Sequence, residues 1–252
     1  MARVDAEISY FIFHLILPFS IAVCIAFYVF GMNSQKLHSV LQSRILKWMH
    51  CNYFEKDKEL LFEHLHDLRL KTKGPFNILE IGVGSGLNFQ YYPQGTHLTC
   101  VDPNPYNDYY WKKNLQQNKH IKLVASLHAY AEFMPQIKSN SFDVVVCTCT
   151  LCTVKDPPAV LNEVNRVLKP GGTFFFFEHV AGKRGSVTRM SQNILQKIFG
   201  YVSCGCNLNR ETSTFLDSST FRSVQYREYS QNTWIFWLFF FARPFLYGTA
   251  VK

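Results

Sequence analysis

Charged residues are scarce in this chain of 252 residues, and no segment is dense in charge of one sign. Asp, Glu, Lys and Arg make up 17% of the residues and hydrophobic residues 48%, a balance that excludes a largely disordered chain. Acidic residues are the rarer sign, so the formal net charge is +8. The basic excess is spread over residues 36–73 and 183–252, which favours mild attraction to an anionic membrane surface over nucleic-acid binding.

Signs of secretion are missing as well. The sequence has no Asn-x-Ser/Thr glycosylation site, and its eight cysteines are too sparse for the disulfide framework of a small secreted domain. No internal repeat is present, and the length is too short for two full-sized domains. These absences favour one catalytic α/β domain in the reducing cytosol, with a short attachment.

The attachment is an N-terminal run, residues 8–31, that contains no Asp, Glu, Lys or Arg. About 20 apolar residues suffice to cross a bilayer, so the run predicts a membrane helix. The residues before it are net negative and no small-residue cleavage site follows, which disfavours a signal peptide; a core helix would be shorter. Pro18 and His14 leave open a kinked helix or a hairpin in one leaflet. Basic residues in 36–47 place the body in the cytosol.

After this run, the sequence alternates between strand and helix patterns. Residues 43–73 have helical spacing of apolar residues and end at a Gly-Pro pair. The clearest later helix is Ala159–Leu168. The predicted strands are Asn77–Ile81, His97–Val101, Ile121–Ala125, Phe142–Cys147 and Thr173–Phe177. Such alternation predicts an α/β fold around a mostly parallel sheet that is buried on both faces.

A glycine-rich loop closes the first predicted strand. Glu80 precedes Gly82, Gly84 and Gly86, and the segment 87–91 can begin a helix with its free N–H groups toward a ligand. Alternate glycines allow close approach of the backbone to that ligand. The spacing G-x-G-x-G differs from the dinucleotide motif G-x-G-x-x-G and leaves less room for a pyrophosphate. A purely structural glycine turn is the alternative.

Asp102 ends the second predicted strand, twenty residues after Gly82. A carboxylate in this place can accept hydrogen bonds from both hydroxyls of a ribose. An Asp before Pro is also common at turns, but the glycine loop favours the nucleoside-binding interpretation.

These motifs, with Tyr130–Pro135 and the run Glu163–Gly172 (EVNRVLKPGG), resemble those of class I S-adenosylmethionine-dependent methyltransferases. The resemblance implies a Rossmann-like fold with a mostly parallel seven-stranded sheet, and S-adenosylmethionine as the cofactor. It further implies donor contacts from the residues Glu80, Gly82, Gly84, Gly86, Asp102, Ala131, Glu132 and Cys147. The expected domains are a membrane anchor (1–35), an amphipathic helical cap (36–73) and the methyltransferase domain (74–252), with its core motifs in 77–180.

A closer resemblance is to the membrane-bound thiol methyltransferases, the "methyltransferase-like 7" group. It is carried by Cys147-Thr148 with Leu151-Cys152, Glu178–Ala181, Cys206–Leu208 with Arg210-Glu211, and the ending Gly248-x-Ala250-Val251-Lys252. It implies methylation of small thiols at the cytosolic face of the endoplasmic reticulum, with association with lipid droplets. The expected partners are a small thiol and membrane lipid bound through residues 8–31, with no nucleic acid and no obligate protein partner.

His179, just past the fifth predicted strand, is the best-placed candidate for a catalytic base; a structural histidine is the alternative. Arg210 can steady a thiolate or pair with Glu211 at the surface. The cluster Cys147-x-Cys149-x-x-Cys152 lacks a clear second pair of ligands, so small cysteines lining the site are favoured over a metal centre. No metal is therefore expected.

Two questions stay open at this level. The acceptor is a small thiol, or else a lipid, quinone or other small molecule, and a catalytically weak membrane recruitment protein is a third hypothesis. The intact glycine loop and Asp102 argue against the third. The aromatic stretch 231–247 can be a core strand, a second membrane contact or a wall of an apolar pocket.

Overall fold

The computed structural model describes residues 34–202, 205–231 and 240–252. The uncharged run 8–31 lies outside these ranges, as do the predictions made for it. Within the ranges given, no helix combines the length and the apolar character that crossing a bilayer requires.

Helices and strands alternate through the chain in the order that the sequence predicts. The described helices are α1 (Ser34–Met49), α2 (Glu55–Lys71), α3 (Asp108–Gln117), α4 (Pro157–Val167), α5 (Val187–Val202) and α6 (Thr212–Asp217). The strands are β1 (Phe76–Ile81), β2 (Thr96–Val101), β3 (Ile121–Leu127), β4 (Phe142–Thr148), β5 (Leu168–His179), β6 (Ser223–Ser230) and β7 (Pro244–Val251).

The strands form one seven-stranded sheet with the order β3-β2-β1-β4-β5-β7-β6. Pairing is parallel from β3 through β5, whereas β7 runs antiparallel to both β5 and β6. The predicted Rossmann-like, mostly parallel sheet is thereby confirmed. The strand order reverses between β1 and β4, and in open α/β sheets ligands bind in the crevice outside the carboxyl ends of the strands at such a reversal.

Four consecutive phenylalanines on β5, residues 174–177, form the centre of the core, and each is fully buried. Because side chains alternate along a strand, Phe174 and Phe176 pack in the cluster on one face of the sheet, and Phe175 and Phe177 in the cluster on the other. Each buried phenylalanine contributes about 2 kcal/mol. The run is therefore apolar throughout because β5 is covered on both sides.

The helical region before the sheet differs from the prediction in one respect. The single helix expected over 43–73 begins earlier, at Ser34, and a π-helical turn at His50–Phe54 divides it into α1 and α2. The face of α2 that carries Leu61, Phe62 and Leu65 is buried against the sheet. This packing fixes α2 over the strands that carry the glycine loop.

The helix expected to start over residues 87–91 is only a 3-10 turn at Phe89–Tyr91, so that expectation was wrong. Pro93 follows two residues later and disfavours helical backbone before it. The predicted fifth strand also begins earlier than expected, because Leu168 already pairs with Phe142. Gly171 (φ 78°) donates its N–H to Lys252 O, and Lys252 N–H donates to Gly172 O.

The end of the sheet contains one strand that the sequence does not predict. In β6 the apolar residues Val224, Tyr226 and Tyr229 are only half-buried, and two adjacent charged residues, Arg227 and Glu228, interrupt their alternation. Strand β7 takes up Pro244–Tyr247 of the aromatic stretch, and Phe245, Leu246 and Tyr247 are buried there. The core-strand interpretation therefore holds for residues 244–247. Residues 232–239 of the stretch lie outside the described ranges.

Candidate active site

The glycine loop lies where the strand order reverses, at the carboxyl end of β1. Gly82, Gly84 and Gly86 all have left-handed backbone angles, with φ of 68°, 53° and 74°. Such angles are strained for any residue with a Cβ atom, which explains the alternate glycines. The N–H of Gly82 donates to Val101 O at 2.7 Å, so the loop is tied to the end of β2.

The three glycines differ in how much free space surrounds them, and this difference indicates which of them allow packing within the protein and which can face a ligand. A Cβ atom on Gly82 would lie 2.1 Å from Thr150 Oγ1, and one on Gly86 would lie 2.6 Å from the Phe89 ring. A Cβ atom on Gly84 would meet only Gly82 O at 3.9 Å. Gly82 and Gly86 thus permit close packing within the protein, whereas Gly84 faces space that a ligand can enter.

Asp102 follows β2 directly and its carboxylate turns toward the glycine loop. Oδ2 accepts hydrogen bonds from Gly84 N–H at 2.9 Å and from Asn107 Nδ2 at 3.0 Å, and Oδ1 accepts one from Asn104 N–H at 2.9 Å. Burial raises the pKa of Asp102, and these three bonds oppose the rise. A carboxylate has about four acceptor positions, so the three donors leave room for a ligand hydroxyl.

Helix α1 closes over the loop that follows Asp102. Asn104 Nδ2 donates hydrogen bonds to Ser39 Oγ at 2.9 Å and to Gln35 O at 3.1 Å. The cap before the sheet is thereby tied to the same loop that Asp102 supports.

Glu80 is buried beneath the glycine loop and does not lie at its surface. Its carboxylate accepts hydrogen bonds from Tyr92 OH at 2.7 Å and Asn88 Nδ2 at 2.9 Å. Burial raises the pKa of Glu80 to about 7, although both bonds oppose the rise. Glu80, predicted to contact the donor, therefore supports the loop from below by orienting Asn88.

Asn88 joins three elements through one side-chain amide. Besides bonding Glu80, Asn88 Nδ2 donates to Thr148 Oγ1 at 3.0 Å, and Asn88 Oδ1 accepts from Lys58 Nζ at 2.8 Å. The ends of β1 and β4 and the cap helix α2 are thus connected at this residue. No sequence motif identified Asn88 or Lys58 beforehand.

The remaining predicted donor-binding residues flank this crevice. Ala131 is buried in the same cluster as Val101, and Glu132 Oε1 accepts a hydrogen bond from Lys155 N–H at 2.9 Å. Cys147, at the end of β4, is fully buried, and its thiol donates to Glu178 Oε1 at 3.6 Å. The fold therefore brings Ala131 and Asp102 to neighbouring strand ends, while the Cys147 side chain faces β5.

Glu178, near the end of β5, organises the loop after β4. Its carboxylate accepts hydrogen bonds from three consecutive backbone N–H groups, those of Thr150 and Leu151 at 3.0 Å and Cys152 at 3.1 Å. Such a row of N–H groups is a nest for an anion, here occupied by the protein's own carboxylate. Burial raises the pKa of Glu178 to about 7, and the N–H donors oppose the rise.

His179 lies beside this loop, at the last position of β5. The side chain is buried, and its ring packs edge-on against Phe245 with the centroids 5.5 Å apart. Neither ring nitrogen has a hydrogen bond of ordinary length and angle within the described part of the chain. The ring nevertheless lies close enough to Cys206 to lower the pKa of that thiol, so His179 faces a sulfur of the protein itself.

Two cysteines near His179 form a thiol pair that spacing alone does not reveal. The Cys152 thiol stabilises the Cys206 thiolate, which lowers the pKa of Cys206 and raises that of Cys152. His179 and Arg210 lower the pKa of Cys206 further, whereas burial opposes them. Among the described residues, no group of three or more Cys, His, Asp or Glu is placed to hold a metal ion.

Arg210 is a clamp within the protein. Its Nη1 donates to the carbonyls of Leu151 and Val154, while Asn207 N–H donates to Cys152 O at 2.8 Å. Glu211 instead pairs with Arg184 and Arg189. The pairing considered between Arg210 and Glu211 is therefore wrong, and Arg210 fixes the loop after β4 from the far side.

We expect the Glu178 carboxyl to make stability depend on pH. Its pKa of about 7 exceeds the ordinary 4.5, so the folded state keeps a proton that the unfolded state has lost. The free energy of unfolding should then fall as pH rises from about 5 to 7, by up to about 1.4 kcal/mol per pH unit. Urea denaturation across this range should show a flatter slope in Glu178→Gln than in the native chain.

Glu163→Gln is the matched control. Arg166 lowers the pKa of Glu163, so this carboxylate is ionised in both states above pH 5. The control should lose a constant amount of stability and keep the native slope. Equal slopes for the native chain and Glu178→Gln would contradict the raised pKa of Glu178.

Comparison with known proteins supports the geometry. A family model described as "Methyltransferase domain" matches residues 79–176. Thiol S-methyltransferase TMT1B of Rattus norvegicus is 43% identical over 171 residues, which are 68% of this chain and 70% of that protein. Thiol S-methyltransferase TMT1A of Homo sapiens is 37% identical over 195 residues, 77% and 78% of the two chains.

Solved structures agree on the fold. A SAM-dependent methyltransferase from Methanosarcina mazei superposes with a TM-score of 0.53 at 18% identity, covering 73% of this chain and 96% of that one. The donor implied by the family fits the residues present, because Gly84 leaves open space beside a carboxylate suited to ribose hydroxyls. This chain belongs to the thiol S-methyltransferase family of class I S-adenosylmethionine-dependent methyltransferases.

Proposed function

We propose that the enzyme transfers a methyl group from S-adenosylmethionine to the sulfur of small thiols. The observation that carries this choice of acceptor is the similarity to relatives named thiol S-methyltransferase over more than two thirds of the chain. The glycine loop and Asp102 support an active enzyme over a recruitment protein, because a protein without catalytic activity would not require ligand-accessible space at Gly84.

On the donor side, each residue has a limited task. When bound, S-adenosylmethionine supplies an electrophilic methyl group on a sulfonium. Asp102 would accept a hydrogen bond from a ribose hydroxyl, and Gly84 would let the backbone approach the donor. Ala131 and Glu132 would border the adenine, while Glu80 keeps the loop in shape through Asn88.

On the acceptor side, the protein must supply a thiolate and exclude water. A free thiol has a pKa near 8.5, so only a few per cent is ionised at neutral pH. We assign His179 as the base that accepts the thiol proton, because it lies beside the loop fixed by Glu178 and already lowers the pKa of one thiol, that of Cys206. Its buried position against Phe245 supports exclusion of water.

Donor binding is tested by Asp102→Ala. Loss of the charge-assisted hydrogen bond to a ribose hydroxyl should weaken S-adenosylmethionine binding by about 10 to 100-fold, measured by calorimetry. The control is Asp217→Ala, since Asp217 ends α6 and accepts a hydrogen bond from Tyr226 on β6 instead. Retained affinity in Asp102→Ala would remove the ribose role.

The acceptor is tested with membranes that contain the chain, labelled donor, and a panel of small thiols, alcohols, amines and quinols. We expect label on thiols alone, and none with Asp102→Ala. Label on a quinol or on extracted lipid, with thiols unlabelled, would favour the alternative acceptors. Donor binding without transfer to any of them would favour a recruitment role.

His179→Gln tests the base. Without the imidazole, the thiol substrate must ionise unaided, so the rate of methyl transfer should fall about 10² to 10⁴-fold. The rising limb of the pH–rate profile should move toward the thiol pKa near 8.5. His128→Gln is the control, because His128 is exposed and bonds Asp108. An unchanged pH profile in His179→Gln would make His179 a structural residue.

We also propose that residues 8–31 hold the enzyme at the endoplasmic reticulum membrane and at lipid droplets, with the catalytic domain in the cytosol. The support is the uncharged sequence of that run and the basic residues after it. Deleting residues 1–33 leaves every described element in place and should move the protein from the microsomal pellet to the supernatant. If the truncated protein still sediments with microsomes, residues 8–31 are not its only anchor. The next residues to test would be Val187, Met190 and Ile194, which are exposed on α5.

A further inference from the structure

Lys58 is the one lysine or arginine that is buried in the described ranges, at 5% exposure. It lies in the first turn and a half of α2. Its ammonium donates a hydrogen bond to Asn88, the residue that connects the ends of β1 and β4 at the crevice. A buried cation is costly unless it is paired, so its position requires a physical reason.

The ammonium is incompletely satisfied by the protein. It carries three N–H donors, and Asn88 Oδ1, at 2.8 Å, is the one hydrogen-bond acceptor that the described residues provide. No carboxylate lies within salt-bridge distance of it in those residues. The ring of Phe177, with its centroid 5.9 Å from Nζ, offers the ammonium a cation–π contact but no further oxygen acceptor. N–H donors of the ammonium are therefore left for a ligand.

The nearest acids do not neutralise this charge fully. Cys149, Glu80 and Glu178 lie close enough to interact with Lys58 electrostatically. Burial raises the pKa of Cys149 to about 12 and that of each glutamate to about 7, so the thiol is protonated and the carboxyls are partly protonated near neutrality. The pocket around Lys58 thus has a deficit of negative charge. An anionic group of a ligand would neutralise the charge of Lys58.

The hydrogen-bond network places this deficit on the donor side. Asn88 connects Lys58 to Glu80 under the glycine loop and to Thr148 at the end of β4. S-adenosylmethionine has one anionic group, its methionyl carboxylate, and two cationic groups, the ammonium and the sulfonium. A lysine beside either cation would repel the donor, whereas beside the carboxylate it compensates a buried charge.

We propose that Lys58 binds the methionyl carboxylate of S-adenosylmethionine, so that the cap helix α2 forms part of the donor site. The assignment rests on the donor of the proposed function and not on its acceptor. Burial lowers the pKa of the free lysine, and an arriving carboxylate would favour its charged form.

The test compares two ligands that differ only in the carboxylate: S-adenosylmethionine and decarboxylated S-adenosylmethionine. Calorimetry is done on the full chain in detergent. Lys58→Met should weaken binding of S-adenosylmethionine by about 10 to 100-fold and leave the decarboxylated ligand unchanged or slightly tighter. Lys56→Met, an exposed neighbour on α2, should change neither affinity.

Other variants separate this role from the alternatives. Asp102→Ala should weaken both ligands alike, because the ribose is common to them. An equal loss for both ligands in Lys58→Met would make Lys58 a support for Asn88 only, and no loss for either would remove it from the donor site. Unchanged donor affinity with an altered pH profile for thiols would place Lys58 at the acceptor; each of these results overturns the proposal.

Two further results keep the test decisive. Retained binding of the decarboxylated ligand demonstrates that Lys58→Met is folded; if that variant does not fold, Lys58→Gln takes its place with the same expected selectivity. A native chain that binds the donor but methylates no thiol would contradict the proposed acceptor and leave the role of Lys58 intact.

Discussion

The buried carboxylate of Glu178 determines the shape of the acceptor side of the site. Three consecutive backbone N–H groups after β4 have no strand partner, and without this acceptor each would be buried unsatisfied at a cost of about 1–3 kcal/mol. Because the loop is held there, Thr150 comes close enough to Gly82 to exclude any side chain. Arg210 and Asn207 then bind the same loop from the C-terminal part of the chain. The glycine loop, the loop after β4 and the Arg210 clamp all depend on this one carboxyl group.

The glycine loop and the strand ends could be predicted from the sequence because their requirements are local. Alternate left-handed turns demand glycine, and a run of four phenylalanines demands a strand buried on both faces. The partners of those residues could not be predicted in this way. Glu80 was recognised in its motif, yet its bonds to Tyr92 and Asn88 depend on how the chain returns after the loop. Strand β6 escaped prediction because Arg227 and Glu228 interrupt the alternation of its few apolar residues, which are only half-buried at the edge of the sheet.

The cap contributes more to the site than its amphipathic pattern suggests. Helix α1 supports the loop after Asp102 through Ser39, and α2 brings a cation to Asn88. Helix α1 follows the uncharged N-terminal run in the sequence, and α2 follows α1. Elements that lie outside the core motifs therefore border the crevice, so a domain cut at residue 74 would lack a wall of its own crevice.

The antiparallel course of β7 has a practical consequence for work with this enzyme. Since β7 runs opposite to β5, its last residues lie at the amino edge of the sheet, where Lys252 exchanges backbone hydrogen bonds with Gly171 and Gly172. The crevice opens at the other edge. A purification tag or fluorescent protein joined after Lys252 would emerge on the side away from the crevice and leave the approach of a small acceptor free.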